Sequence, residues 1–281
     1  MEDLEAPRAR RPKRTFERQL SGITLRRWES WSGPAVLAAF LLAWEAAARM
    51  GLLPPFYFPA PSVIGRTLFE KTASGELPGH VKVTLSRLFP GLALGCIPGL
   101  LLGLMMGWSA RVRRIFDPIV AALHPMPKIG LLPLVMIFFG IGEASKIAMV
   151  AVAAFFPMVI NTMAGVRQIP AIHFEVAENY GAGFMKLLTR VTLPGSLPLV
   201  LHGLRLAVNI GLLLTIAAEI AAANNGLGAR IWLAWEVLRV EDVYAILFII
   251  CAMGFLFTFL IHVISQRLVP WQVERTAPSR R

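Results

Sequence analysis

The chain has 281 residues, of which 56% are hydrophobic and 16% charged, with a mean hydropathy of +0.62 and a formal net charge of +11. Soluble domains carry about 25% charged residues, so an ordinary soluble domain is excluded. The apolar residues fall in blocks of about 20, the length that crosses a hydrocarbon core, and the expectation is an all-α integral membrane protein. The positive charge does not indicate nucleic acid: basic residues gather in the N-terminal tail and in alternate loops, without the aromatic–basic interleaving of single-strand binders.

Residues 1–32 form a basic tail with Arg8, Arg10, Arg11, Lys13, Arg14, Arg18, Arg26 and Arg27. The first apolar run begins only near Gly33, so it reads as an uncleaved anchor rather than a signal peptide. That first span, residues 33–53, contains Glu45 and Arg49, placed in the order of an i, i+4 ion pair. The second span, 88–110, holds no Asp, Glu, Lys or Arg and is followed by Arg111, Arg113 and Arg114. The third, 115–141, contains Asp117, His124 and Lys128. Pro125, Pro127 and Pro133 break it, because proline removes an amide and kinks a helix, and a hinge is expected there. Lys128 reads as an anion attractor or as a lysine snorkelling to the interface. The fourth span, 147–166, is again free of charge.

A polar loop, 165–197, follows the fourth span. The fifth span, 197–223, contains His202, Arg205 and Glu219, and the sixth, 243–265, contains no charge. The C-terminal tail, 267–281, carries Arg267, Arg275, Arg280 and Arg281. Six spans put the tail, the loop after the second span, the polar loop and the C-terminal tail on one side. Their excess of Lys and Arg makes that side cytoplasmic, with both termini there. Cys96 and Cys251 lie in apolar runs and read as small packing residues. Trp28, Trp31, Trp108, Trp232 and Trp271 read as interface anchors.

The polar loop is structured. Pro170 is suited to a helix start, and residues 171–180 read as helix. Gly181 fits the left-handed position past a helix end. A second helix is expected over 184–191, with Phe184, Leu187, Leu188 and Val191 on one stripe, stopped by Leu193-Pro194. Small Ala177 and Gly181 leave room for another surface, so the loop is expected to be a docking knob.

Its residues Glu175-x-Ala177-x3-Gly181-x9-Val191-x-Leu193-Pro194 resemble the EAA loop of ABC importer permeases, with Val176 in place of the first Ala. The stretches FPAPS (58–62), HPMPKIGLLPL (124–134), FFGIGEASK (138–146) and FFPMVINTMAGVR (155–167) are similar to the nitrate/taurine/aliphatic-sulfonate branch. The resemblance covers about residues 34–266. It implies a type I importer permease fold of about six transmembrane helices in residues 33–266, with a cytoplasmic coupling helix. It also implies a bacterial inner-membrane location, a second copy of the permease, two cytoplasmic ATP-binding subunits and a periplasmic substrate-binding protein. The ATPase-coupling residues carried over are Glu175, Ala177, Glu178, Gly181, Ala182, Leu193 and Pro194. No G-x4-G-K-[ST] phosphate loop occurs, so ATP and Mg are expected in the partner ATPase, with no cofactor, metal or catalysis in this chain.

An ionisable residue inside a span is a functional candidate because hydrocarbon makes it costly. Glu219 is the sharpest case, just before AAANNGLG (221–228), where Asn224, Asn225 and the glycines predict a helix break. Glu219, Thr215, Asn209, Asn224, Asn225 and Lys128 are the pore or gate candidates. Glu219 is not expected to touch an anionic cargo and has equal standing as a packing residue. Arg205 is about 21 Å away along one helix, too far to pair with it. Thr215 and Asn209 read rather as interhelical hydrogen-bond formers. An ion-gradient-driven secondary transporter is the alternative. A membrane enzyme is disfavoured, because His80, His124, His173, His202 and His262 share no motif.

Overall fold

The computed structural model describes residues 17–271, and their side chains from residue 33 onward. The expected tail residues Arg8 to Arg14 and Arg275 to Arg281 lie outside the described residues. The chain divides into two compact units, Met1–Val63 and Ile64–Arg281. All regular structure among the described residues is helical.

In the first unit, α1 (Glu17–Arg49) is already helical before residue 33 and runs through the expected first span. The Glu45–Arg49 pair forms, at 2.5 Å. Glu45 also accepts from the Ser62 amide at 2.9 Å and the Ser62 hydroxyl at 2.7 Å. Those two bonds make Glu45 a structural residue. They satisfy a free amide in the first turn of α2 (Pro61–Ala73), as a capping carboxylate does.

The second unit continues with α3 (Glu76–Trp108), α4 (Ala110–Leu123), α5 (Leu132–Phe139) and α6 (Glu143–Arg167). It ends with α7 (Ala171–Asn179), α8 (Phe184–Leu187), α9 (Leu193–Ala222), α10 (Leu227–Glu236) and α11 (Val240–Leu268). By length and composition, α3, α6, α8 with α9, and α11 are fit to cross a membrane. A fifth crossing is possible if α4 and the Lys128–Phe139 segment, bent by 92° at the proline-rich break, count as one span. Against the six spans expected, the described residues hold four such crossings or five, and α1, which covers the expected first span, is not among them.

The centre is a packed trio of α3, α6 and α9. Glycine recurs every fourth residue along α3, at Gly91, Gly95, Gly99, Gly103 and Gly107, so all five lie on one face. A β-carbon at Gly99 would lie 2.8 Å from the Phe155 carbonyl oxygen, and one at Gly103 would lie 2.6 Å from Thr162 Cβ. The backbones of α3 and α6 therefore approach more closely than any side chain allows. This small-residue seam suits helices in lipid, where association depends on van der Waals packing rather than on expelling water. Gly203 extends the same device to the α6–α9 contact, against Asn161 and the Pro157 carbonyl.

One expectation is overturned at Leu193-Pro194. The helix does not stop there: α8 runs into α9 as a single 39-residue segment, Phe184–Ala222. The turn just before the proline, Leu188–Thr192, is π-helical, with the Leu193 amide on the Leu188 carbonyl. A widened turn accommodates a proline that lacks its own amide, so the chain passes Pro194 without ending. The clean second span is also longer than expected. It begins at Glu76 and includes Lys82 and Arg87. Lys146, expected in a loop, is buried in the first turns of α6 and donates to the carbonyls of Ile141 and Gly142 at 3.2 and 3.1 Å. Cys96 is buried as expected, whereas Cys251 is exposed on α11.

Candidate functional site

Two constructions stand at opposite ends of the long α8–α9 rod. The first is the knob made by α7 and α8. Here α7 ends in a Schellman motif: the Ala182 amide donates to the Ala177 carbonyl at 3.0 Å and the Gly181 amide to that of Glu178 at 2.8 Å. Gly181 has φ of +73° with open space around it. Its left-handed backbone favours glycine, and the open space leaves room for another surface. Ala177, Glu178, Gly181 and Ala182 together make the cap, which gives four of the expected coupling residues a common structural cause.

The knob rests on Trp108, the last residue of α3. The indole meets Phe174 of α7 with ring centroids 5.8 Å apart and Phe184 of α8 at 5.2 Å, both edge-on. Trp108 is thus a bearing under both short helices rather than a simple interface anchor. With Phe174 turned inward, Ile172, Val176 and Tyr180 form an outward stripe on α7, 54%, 46% and 88% exposed. Glu175 and Glu178 flank it and are exposed. Leu193 and Pro194 lie apart from this face, inside the continuous rod.

The second construction surrounds Glu219. The expected helix break is present: α9 ends at Ala222, and Gly226 turns the chain with φ of +103°. The first amides around α10 are each taken by a side chain. Gly226 donates to His80 Nδ1 at 3.1 Å, Leu227 to Thr84 Oγ1 at 3.0 Å and Gly228 to Glu219 Oε2 at 2.9 Å. These are the amides that a helix start leaves without partners. Thr84 also donates to Glu219 Oε2 at 3.0 Å.

The partner of Glu219 is Arg87, not Arg205. Arg87 is 1% exposed and Glu219 is fully buried. Arg87 Nη1 donates to Glu219 Oε1 at 2.7 Å and to the Asn225 carbonyl at 2.8 Å. Nε and Nη2 grip Glu143 as a fork, at 2.5 and 2.7 Å, and Nη2 also donates to Asn225 Oδ1. All five guanidinium N–H groups are engaged. The cluster binds α3, α6, the end of α9 and the loop before α10 at one point. A cleft of about 550 Å³ lies beside it, lined by Glu143, Lys146, Asn224, Asn225 and Trp232.

Of the other candidates, Asn224 lines that cleft and Asn225 is committed to Arg87. Thr215 is buried and donates within its own helix to the Gly211 carbonyl at 2.8 Å, which corrects the expected interhelical bond. Asn209 does bond across helices, accepting from Thr258 Oγ1 at 3.4 Å. Lys128 lies in the bend after α4, donating to the His124 carbonyl at 2.9 Å with its ammonium 5.3 Å from the Phe156 ring centre. It is not brought to the Glu219 cluster. His80, Thr84, Arg87, Glu143 and Trp108 were missed as site residues. The first three are spaced i, i+4, i+7 on one helical face, and this period was the available signal.

A family model described as binding-protein-dependent transport system inner membrane component matches residues 99–272. The taurine transport system permease protein TauC of Escherichia coli K12 is 34% identical over 243 residues, spanning 85% of this chain and 88% of that protein. The putative aliphatic sulfonates transport permease protein SsuC of Bacillus subtilis 168 is 32% identical over 243 residues, covering 86% and 88%. Among solved structures, a chain of the MetNI methionine ABC transporter, described as inward-facing, superposes with a TM-score of 0.58 at 21% identity. It covers 66% of this chain and 92% of that one, and shows the fold alone.

Proposed function

Because the chain belongs to the family of binding-protein-dependent transport system inner membrane components, we propose that it is the permease subunit of an ATP-driven importer for a small sulfonate such as taurine. The cargo class rests on the taurine and aliphatic-sulfonate relatives. In this reading the permease domain is residues 33–266, both tails face the cytoplasm, and two copies form the path between them. A periplasmic binding protein delivers the cargo. Two cytoplasmic subunits bind ATP and Mg, and this chain performs no chemistry.

The observation that carries the coupling role is the capped knob with its unpartnered stripe of Ile172, Val176 and Tyr180. A water-facing loop has no reason to hold three large apolar side chains outward in register, and such a stripe is the mark of a helix laid into a groove. The knob is continuous with α9 through the π-helical turn. The 39-residue rod spans roughly 58 Å at 1.5 Å per residue, of which about 53 Å separates Phe184 in the knob from Glu219. Closure of the ATPase pair displaces the knob, the rod carries the displacement, and the Arg87 cluster is where the opposite end of the path is held shut or released. A proton- or sodium-driven mechanism finds less support, because both Glu219 oxygens are already occupied by Arg87, Thr84 and Gly228.

The test is co-purification. Val176→Asp and Tyr180→Asp place charge on the stripe while removing neither a backbone hydrogen bond of the cap nor a ring contact of Trp108. The tagged permease variants should keep their elution profile and lose the co-expressed ATPase subunit. Retention of the ATPase at the unmodified level by both variants would remove the docking role.

A further inference from the structure

A second cleft, also of about 550 Å³, lies between the loop-side half of α9 and the last turns of α11. Its polar lining is His202, Arg205, His262, Ser265 and Gln266, with no carboxylate among the described residues that line it. The remaining lining is proline and aliphatic side chains. His262 and Gln266 are already joined on α11, with Nε2 to Nε2 at 3.1 Å.

Arg205 is the unusual member. Its Nε is buried without a hydrogen-bond partner, and it joins no ion pair among the described residues. The contrast with Arg87 is direct, since there the same fold satisfies every guanidinium N–H. An arginine in a membrane span is costly unless it is paired, and a guanidinium presents a rigid fork matched to phosphate and other oxyanions. Arg205 lies about 18 Å along α9 from Leu193, and His262 and Gln266 lie within the last two turns of α11.

We propose that this cleft binds a tetrahedral oxyanion, phosphate or sulfonate, on the Arg205 guanidinium. Two sources supply that chemistry: the headgroup of an anionic phospholipid in the adjacent leaflet, and a free sulfonate or sulfate. The assignment does not depend on the transport reading above.

The experiment uses the full chain in neutral detergent, read by native mass spectrometry and by thermal melting. One arm adds phosphatidylglycerol against phosphatidylcholine; the other adds sulfate or taurine against chloride without lipid. In at least one arm the wild-type protein should bind the oxyanion ligand in preference to its control. Arg205→Gln should weaken that binding roughly tenfold to a hundredfold, and Arg205→Lys should retain part of it. A preference for phosphatidylglycerol alone assigns the headgroup, and a response to sulfate or taurine assigns the free anion. Equal binding by wild type and Arg205→Gln in both arms overturns the proposal, as does no oxyanion preference in either. So does an Arg205→Gln variant whose only change is in oligomeric state.

Discussion

Arg87 and Glu219, 132 positions apart in sequence, meet at 2.7 Å in the protein interior, each held by further hydrogen bonds to its neighbours. The pair is the pin that fixes the start of α10 to α3 and α6. Removing one partner of a buried pair strands the other charge, which costs about 3–5 kcal/mol. Arg87→Leu and Glu219→Leu should each lower the melting temperature of the detergent-purified chain sharply. The double variant should be less destabilised than the sum of the two, because it leaves no lone charge between them. Additive losses in this cycle would show that the two residues act separately.

Gly181 supplies a left-handed backbone with free space around it. Gly181→Ala should therefore cost about 1 kcal/mol through strain alone, while Gly181→Asn, which tolerates that conformation, should cost less. ATPase stimulation by reconstituted permease is the readout. If the alanine variant is silent and the asparagine variant is the damaged one, side-chain space rather than backbone conformation governs the position.

Trp108 carries both knob helices through Phe174 and Phe184. Trp108→Ala leaves the outward stripe of α7 intact but loosens its seat. The expected outcome is an ATPase that still binds, with fewer cargo molecules imported per ATP hydrolysed. An unchanged transport-to-hydrolysis ratio would mean that Trp108 is only packing.

The glycine seam predicts a graded series. Gly99→Ala and Gly103→Ala each force a β-carbon into α6, against Phe155 or Thr162, and overpacking of this kind costs about 1–3 kcal/mol. Gly65→Ala in α2, with nothing within 4 Å of the added carbon, should be neutral. Melting curves of the three variants distinguish a seam requirement from a general intolerance of substitution.

Much of this arrangement was legible in the sequence because it is encoded locally. The break after Glu219 is announced by Asn-Asn-Gly, the bend after α4 by its prolines, and the cap of α7 by Gly181 at a fixed distance from Ala177. The two short helices of the polar loop are legible for the same reason. What escaped notice depends on long-range meeting. Arg87 sits one residue outside the apolar run that defined its span, so its burial is visible only once α6 and the α10 loop close over it. Trp108 looks like any span-end tryptophan until two phenylalanines from the loop meet it. The stop expected at Leu193-Pro194 failed because a π-helical turn is specified by the helix around it, not by a residue signature. The five-glycine period of α3 is present in the sequence, but each glycine alone looks like ordinary membrane-helix composition.

On the proposed reading, this chain imports its cargo through a separate ATPase acting on the knob. The most direct measurement is uptake of labelled taurine into proteoliposomes containing the chain, its ATPase subunit and its binding protein. Uptake should require ATP on the side of the knob, should be abolished by Tyr180→Asp, and should be indifferent to proton or sodium gradients. Uptake by the permease alone, driven by an ion gradient in the absence of ATP, would contradict the account.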